Sequence, residues 1–136
     1  MAGLAVIHPF TEVVSEGTAS SVATGVVAYV RAPFRGKVIE VGSIIGSATT
    51  TADATVTTSI GATAITGGAF VITQSGSAAG QLNFASTSGV GNNGASAGST
   101  ITAANLCNEG DIIKFALTGS GTGGGQVYLY AVINRN

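Results

Sequence analysis

Short segments rich in Thr, Val and Ile, separated about every ten residues by Gly or Asn-Gly, make up most of this 136-residue chain. β-Branched side chains fit the pleated surface of a strand, and Gly and Asn favour the turns between strands. No segment keeps the apolar period of an amphipathic helix over three turns. The pattern predicts an all-β fold: a single β-sandwich domain of jelly-roll type, with about eight strands and an extended N-terminal arm.

Eight segments carry the strand pattern, and several of them alternate apolar and polar residues. The predicted strands are residues 22–30, 37–45, 54–60, 62–66, 69–74, 82–84, 112–117 and 126–133. Residues 86–99 hold almost nothing that can enter a core, so a long exposed loop is expected there. Residues 100–106 could form either a strand or a helical turn, and a second Gly-rich loop is expected at 119–125.

The N-terminal segment differs from the rest of the chain. Residues 1–14 are predicted to form the arm and residues 15–136 the sandwich, because Pro9 confines the apolar run 4–14 to an edge or an extended segment. The apolar side chains of the arm are candidate contacts with a partner: Leu4, Val6, Ile7 and Phe10. The first residues also lack the basic region and long apolar stretch of a signal or membrane anchor. We therefore expect a protein made in the cytoplasm, or assembled there into a larger structure.

Charged residues are scarce in this chain. They form 8% of it and leave a net charge of −1, whereas about a quarter of an ordinary soluble domain is charged. The exposed surface must then be built mostly from Thr, Ser, Ala, Asn and Gly. This composition indicates a surface that is covered by a partner or by copies of the same chain.

Two glycine motifs lack the structural context that their chemistry requires. Residues 94–98 match G-x-S-x-G, but a nucleophile elbow needs a strand before it, a helix after it and a downstream histidine. His8 is the only histidine and lies far upstream. Gly119, Gly121 and Gly124 match G-x-G-x-x-G, yet a strand rather than a helix is predicted next, which excludes the dinucleotide-binding unit. Neither motif predicts an enzyme.

Titratable side chains do not form a plausible catalytic or metal site. Glu109 and Asp111 share a predicted turn with Asn108, but three oxygens are fewer than the six to eight that Ca²⁺ takes. Cys107 is the only cysteine, so no disulfide forms within the chain, and it is predicted to be a small buried hydrophobe. We expect no enzymatic activity, no cofactor and no metal.

Three of the five basic residues, Arg31, Arg35 and Lys37, lie close together with Phe34 between them. The sequence pI of about 5.6 is too low for a typical nucleic-acid-binding domain, and neither a membrane nor a small-molecule substrate is expected as a partner. Arg and aromatic side chains are enriched in the cores of protein interfaces. The segment is therefore a candidate protein contact, although an ordinary turn with solvated charges explains it equally well.

Several stretches resemble small structural proteins encoded beside the capsid genes of tailed bacteriophages. They are residues 32–43 (APFRGKVIEVGS), 50–57 (TTADATVT), 64–69 (AITGGA), 74–80 (QSGSAAG) and 109–114 (EGDIIK). This group, the capsid cement or decoration proteins, has a β-sandwich fold, often a jelly roll. The resemblance covers most of the chain after residue 30 and leaves out the arm. It implies a protein that binds the outside of an icosahedral shell, bridges neighbouring major capsid subunits and resists the pressure of packaged DNA.

These observations together predict a structural virion protein on the capsid exterior, assembled in the host cytoplasm. Its expected partners are the major capsid protein and further copies of itself, as a dimer or trimer. The alternative is a receptor- or glycan-binding β module of a head fibre or tail, although the chain has no Trp and only three Tyr to stack on sugars.

Overall fold

The structure, a computed structural model, describes residues 12–19, 25–50, 52–75, 77–88, 90–92, 100–119 and 126–135. These residues form eleven β-strands in two antiparallel sheets. Within the described ranges, no helix is long and apolar enough to cross a membrane.

The first sheet has five strands side by side and a sixth, short strand that pairs with the first residues of one of them. In spatial order they are β1 (Glu12–Ala19), β11 (Val127–Arg135), β3 (Gly36–Ile45), β7 (Leu82–Ser86) and β8 (Val90–Asn92), with β9 (Leu106–Cys107) also paired to β3. The second sheet contains β2 (Val27–Arg31), β10 (Ile112–Gly119), β4 (Ala54–Ile60) and β5 (Thr63–Ala64), with β6 (Phe70–Ile72) also paired to β4.

The order of the strands is that of a jelly roll. The chain passes from one sheet to the other at each step from β1 to β4, and again between β6 and β7, between β9 and β10, and between β10 and β11. The first strand therefore lies beside the last strand in one sheet, and β2 lies beside β10 in the other. This arrangement confirms the predicted all-β sandwich of jelly-roll type.

Three strands were not predicted, which raises the number from about eight to eleven. Residues 12–14, predicted as the end of the arm, instead begin β1, which pairs with β11 from Glu12↔Asn134 to Ala19↔Val127. The rest of the predicted arm lies outside the described residues. β8 lies within the segment predicted as a loop, and β9 ends the segment that was left undecided. β1 and β9 are defined by backbone pairing with a distant strand, and β8 by pairing with its neighbour β7. Such pairing requires no particular side chains.

The core lies between the two sheets and is built from the inward positions of the alternating strands. Its largest fully buried side chains are Phe70, Phe115, Ile45, Ile72, Ile113, Leu117, Leu129 and Ile133. Burying one such side chain contributes about 1.5–3 kcal/mol to stability. Cys107 is 2% exposed, which confirms the prediction that it is buried, and burial raises the pKa of its thiol.

Candidate functional site

Most of the basic side chains lie at one end of the sandwich, which we call the basic end and define by Arg31, Arg35, Lys37 and Arg135. β2 finishes at Arg31, β3 begins just after Arg35, and β11 finishes at Arg135, so three strands bring these residues to the same end. The fifth basic residue, Lys114, lies elsewhere, between Tyr29 and Ser59 in the register of the second sheet. Four of the five cations of the chain are therefore grouped.

Backbone hydrogen bonds fix the turn between β2 and β3. Ala32 is fully buried, and its N–H donates to the carbonyl of Asp111 at 2.8 Å. In return, the N–H of Gly110 donates to the carbonyl of Ala32 at 2.9 Å. We call residues 31–37, which contain this turn, the basic turn. The basic turn and the turn at residues 108–111 consequently hold each other in place. In that second turn the N–H of Asn108 donates to the Asp111 carboxylate at 2.8 Å, so it is the tight turn that was predicted.

An aromatic ring contacts one of the cations. The guanidinium carbon of Arg135 lies 4.5 Å from the centre of the Phe34 ring, which is within the range of a cation–π interaction. Phe34 is half-buried and packs against the core. Its ring therefore connects the basic turn to the end of β11.

Among the described residues, two cavities open at the basic end, and Leu106 lines both of them. The larger has a volume of about 670 Å³ and is lined by Lys37, Ile60, Thr63, Ala103, Ala104, Asn105 and Leu106. The smaller has a volume of about 240 Å³ and is lined by Arg35, Gly36, Leu106, Cys107 and Asn108. Leu106 is 66% exposed, a large fraction for an aliphatic side chain. It forms an apolar ridge between the two cavities.

The segment that carries Leu106 is held in place by Asn105. This buried side chain donates from Nδ2 to the carbonyl of Val38 at 2.7 Å, while the N–H of Val38 donates to the carbonyl of Asn105 at 2.8 Å. The preceding residue, Ala104, has a φ of +56°, in the left-handed region that residues other than Gly rarely adopt. Lys37 and Leu106 are partners in the pairing of β3 with β9, so a cation and an apolar side chain lie next to each other.

The outer faces of both sheets also expose apolar side chains. On the first sheet, Tyr128 (44% exposed) and Ile44 (41% exposed) are cross-strand partners. Beside them Tyr130 lies across Gly42, and its hydroxyl donates to Oε1 of Glu40 at 2.6 Å. Burial, with the hydrogen bond to this carboxylate, raises the pKa of Tyr130 well above its usual value. On the second sheet, Tyr29 is 62% exposed.

The structure brings the predicted residues of the basic turn together. Arg31, Arg35 and Lys37 are exposed and Phe34 is half-buried, all at one end of the sandwich. Leu4, Val6, Ile7 and Phe10 lie outside the described residues. Glu12 pairs with Asn134, which also pairs with Lys37, so the arm joins the sandwich at the basic end.

Sequence reasoning missed Arg135 and Leu106. Arg135 is far from the basic turn in the chain and reaches it only through the pairing of β11 with β3. For Leu106 a signal existed, because Cys107 was predicted to be buried and adjacent residues of a strand face opposite sides. Within the part of the chain that the structure describes, no three His, Cys, Asp or Glu residues come together in a group that could hold a metal.

Comparisons with known proteins give a likeness in fold. No protein-family model matches the chain, and no curated protein matches it. Among solved structures, a chain of the capsid asymmetric unit of cyanophage Pam1 matches with a TM-score of 0.54 and 16% identity, covering 98% of this chain and 93% of that one. CsCBM6-3 from Clostridium stercorarium, in complex with cellobiose, matches with a TM-score of 0.46 and 12% identity, covering 88% and 73%. The likeness to the cyanophage chain extends over the sandwich, and at this identity it concerns the fold alone.

Proposed function

We propose that this protein is a structural component of a tailed-phage particle that binds the outer surface of the capsid. There it cements neighbouring major capsid subunits against the pressure of the packaged DNA. The observation that carries the proposal is the full-length likeness in fold to a chain of a phage capsid. The resemblance of its turn segments to capsid cement proteins supports the same function.

The surface chemistry agrees with a protein that functions while covered by neighbours. Large apolar side chains are exposed at the basic end and on the outer faces of both sheets: Leu106, Tyr128, Ile44, Tyr29 and Ile112. At about 25 cal/mol per Å², an apolar contact of a few hundred Å² contributes several kcal/mol before the cost of association. Repetition of such a contact over a lattice adds avidity.

The basic end is the proposed contact with the shell. The basic turn is fixed by backbone hydrogen bonds and by the packing of Phe34, so little conformational freedom is lost when it binds. The arm joins the sandwich at this end, at Glu12. Arm and turn can therefore act on the same boundary between capsid subunits, with the outer faces left for copies of this chain in a dimer or trimer.

The number of copies in a particle tests this proposal. A quantitative gel of purified particles is expected to contain this protein in an amount comparable to the major capsid protein. The purified protein is also expected to sediment with shells from which it has been removed. A few copies per particle would instead indicate a tail or fibre part, and absence from particles would refute the proposal.

A glycan-binding module is a second candidate, favoured by the exposed tyrosine on the outer face of the first sheet. The hydroxyl of Tyr128 lies 3.4 Å from Oε1 of Gln126, so an aromatic ring on which a sugar could stack lies beside an amide that could bind its hydroxyls. A glycan array is the appropriate test. Glycan binding that is abolished by Tyr128→Ala and preserved in Tyr29→Ala would favour this candidate. An array without signal would count against it.

A further inference from the structure

We infer that the basic end binds an extended acidic segment of a partner protein, with carboxylates at alternate positions and one bulky apolar side chain. The inference rests on the proposed function only in that it takes the partner to be a capsid subunit. The binding surface consists of the two cavities and the ridge between them: Lys37 at the larger cavity, Arg35 at the smaller cavity, and Leu106 between them.

The larger cavity fits an apolar side chain together with part of its backbone. Its volume of about 670 Å³ lies within the range of known ligand pockets. Ile60, Ala103, Ala104 and Leu106 give it apolar walls, and the amide of Asn105 is already bonded to the Val38 carbonyl. An apolar group could therefore enter this cavity without breaking the hydrogen bond of the Asn105 amide to Val38.

The charges indicate that the bound segment is acidic. Lys37 and Arg35 each line one cavity, and none of the described lining residues is a carboxylate. The two cations are separated by one residue in the chain, and both are exposed. Alternate residues of an extended segment lie on one face, about 6.6 Å apart, so two carboxylates at that spacing match the two cations.

The cation and the exposed leucine belong to one surface. Lys37 pairs with Leu106, and Gly36 pairs with Cys107, so β9 holds the ridge at a fixed distance from the start of β3. An exposed leucine flanked by cations is poorly suited to solvent, but it is suited to a segment that offers both an apolar side chain and carboxylates. The phosphate backbone of a nucleic acid offers only the negative charge and no apolar side chain for the larger cavity.

Binding of short peptides to the full chain tests this inference. The probe is acetyl-Glu-Ser-Glu-Ser-Leu-amide, which in an extended conformation places both Glu and the Leu on one face, and its controls are the same peptide with Lys in place of both Glu and with Gly in place of Leu. Backbone amide shifts of the ¹⁵N-labelled protein are followed during titration. The acidic leucine peptide is expected to give saturable shifts at Lys37, Asn105 and Leu106, and each control peptide is expected to bind at least several-fold more weakly.

Three variants locate the contact. Lys37→Ala is expected to weaken binding about two- to fivefold, as for an exposed ion pair, and Leu106→Ala by a similar or larger factor. The matched control, Lys114→Ala, removes a cation from the outer face of the second sheet and should leave binding unchanged. A well-dispersed NMR spectrum for each variant establishes that it is folded.

Several outcomes would overturn the inference. They are a lack of saturable shifts, equal binding of the Lys peptide, and loss of binding in Lys114→Ala but not in Lys37→Ala. Self-association that Lys37→Ala abolishes would assign this surface to a second copy of the chain instead. Because the peptide experiment uses the isolated protein, its failure is distinct from absence of the protein from particles. That absence would refute the capsid function and the identity of the partner, but not the binding of an acidic segment.

Discussion

At the scale of single residues, Tyr130 shows how a glycine in a strand can be used. A Cβ at Gly42 would lie 2.5 Å from the Tyr130 hydroxyl, so the ring occupies space that any larger residue would fill. From that position the hydroxyl reaches Glu40 at 2.6 Å. A hydrogen bond to a carboxylate contributes about 1.5–3 kcal/mol. The pair therefore stabilises the contact between β11 and β3 on the outer face of the first sheet.

The ionisation of Tyr130 leads to a prediction about alkaline pH. Its pKa is higher in the folded than in the unfolded protein, where it is about 10. The stabilisation is thus complete below about pH 10 and is lost as the pH rises further. Urea unfolding from pH 8 to 12 is expected to show a steeper loss of stability in the native protein than in Tyr130→Phe. Parallel curves would contradict the prediction.

Asn83 gives a second prediction at this scale. Its side chain is 1% exposed, and neither of its amide atoms has a hydrogen-bond partner. Its partner in β3 is Ser43, whose buried hydroxyl is also unpaired. Since an unsatisfied buried polar group costs about 1–3 kcal/mol, Asn83→Leu is expected to raise the free energy of unfolding by about 1 kcal/mol or more.

Urea denaturation measures this change, and Ser43→Ala is the matched variant, expected to act in the same direction. Destabilisation by Asn83→Leu would mean that the amide is satisfied in solution and contributes to the core.

At the scale of elements, the wall of the larger cavity depends on contact between two segments that are distant in the sequence. Thr66 and Ala103 form an isolated bridge, and a Cβ at Gly67 would collide with the backbone carbonyl of Thr100. Gly67 has a φ of +79°, and Gly61 has a similar φ of +59° with open space around it. The two glycines therefore differ mainly in what surrounds them.

This difference gives a matched pair of variants. Gly61→Ala is expected to destabilise the protein by about 1–2 kcal/mol through its positive φ alone. Gly67→Ala adds the collision and should cost several kcal/mol and displace residues 100–107. Thermal unfolding and the NMR shifts of Ala104 and Leu106 measure both effects. Equal losses for the two variants would mean that the segment is not fixed at this bridge.

The same elements show what the sequence can and cannot predict. β4 was predicted within the correct bounds, because its sequence alternates, and buried residues at 54, 56 and 58 alternate with more accessible ones. β1 lacks such a signal, since its pairing with β11 depends on the register of a strand that is distant in the sequence, and β8 has only three residues, too few to show an alternation. The candidate site divides in the same way. Its basic turn is local and was predicted, whereas Arg135 and Leu106 reach it only through long-range pairing.

At the scale of the whole molecule, the arm and the sandwich are separable in the proposed mechanism. β1 begins at Glu12 and pairs with β11 along its length. Deletion of residues 2–10 is therefore expected to leave the sandwich folded and to abolish binding to capsids, because it removes Leu4, Val6, Ile7 and Phe10. Circular dichroism and thermal unfolding measure the first effect, and sedimentation with capsids measures the second. A truncated protein that still decorates capsids would refute the role of the arm.

The placement of the first strand beside the last has a consequence for engineering. Glu12 pairs with Asn134 at the basic end, so a tag or antigen fused before β1 or after β11 emerges at the proposed contact with the shell. The turn after β3 lies at the other end of the sandwich, and Ser47 and Ala48 are exposed there. Cargo meant for display on a particle belongs in that turn, where it would point away from the lattice.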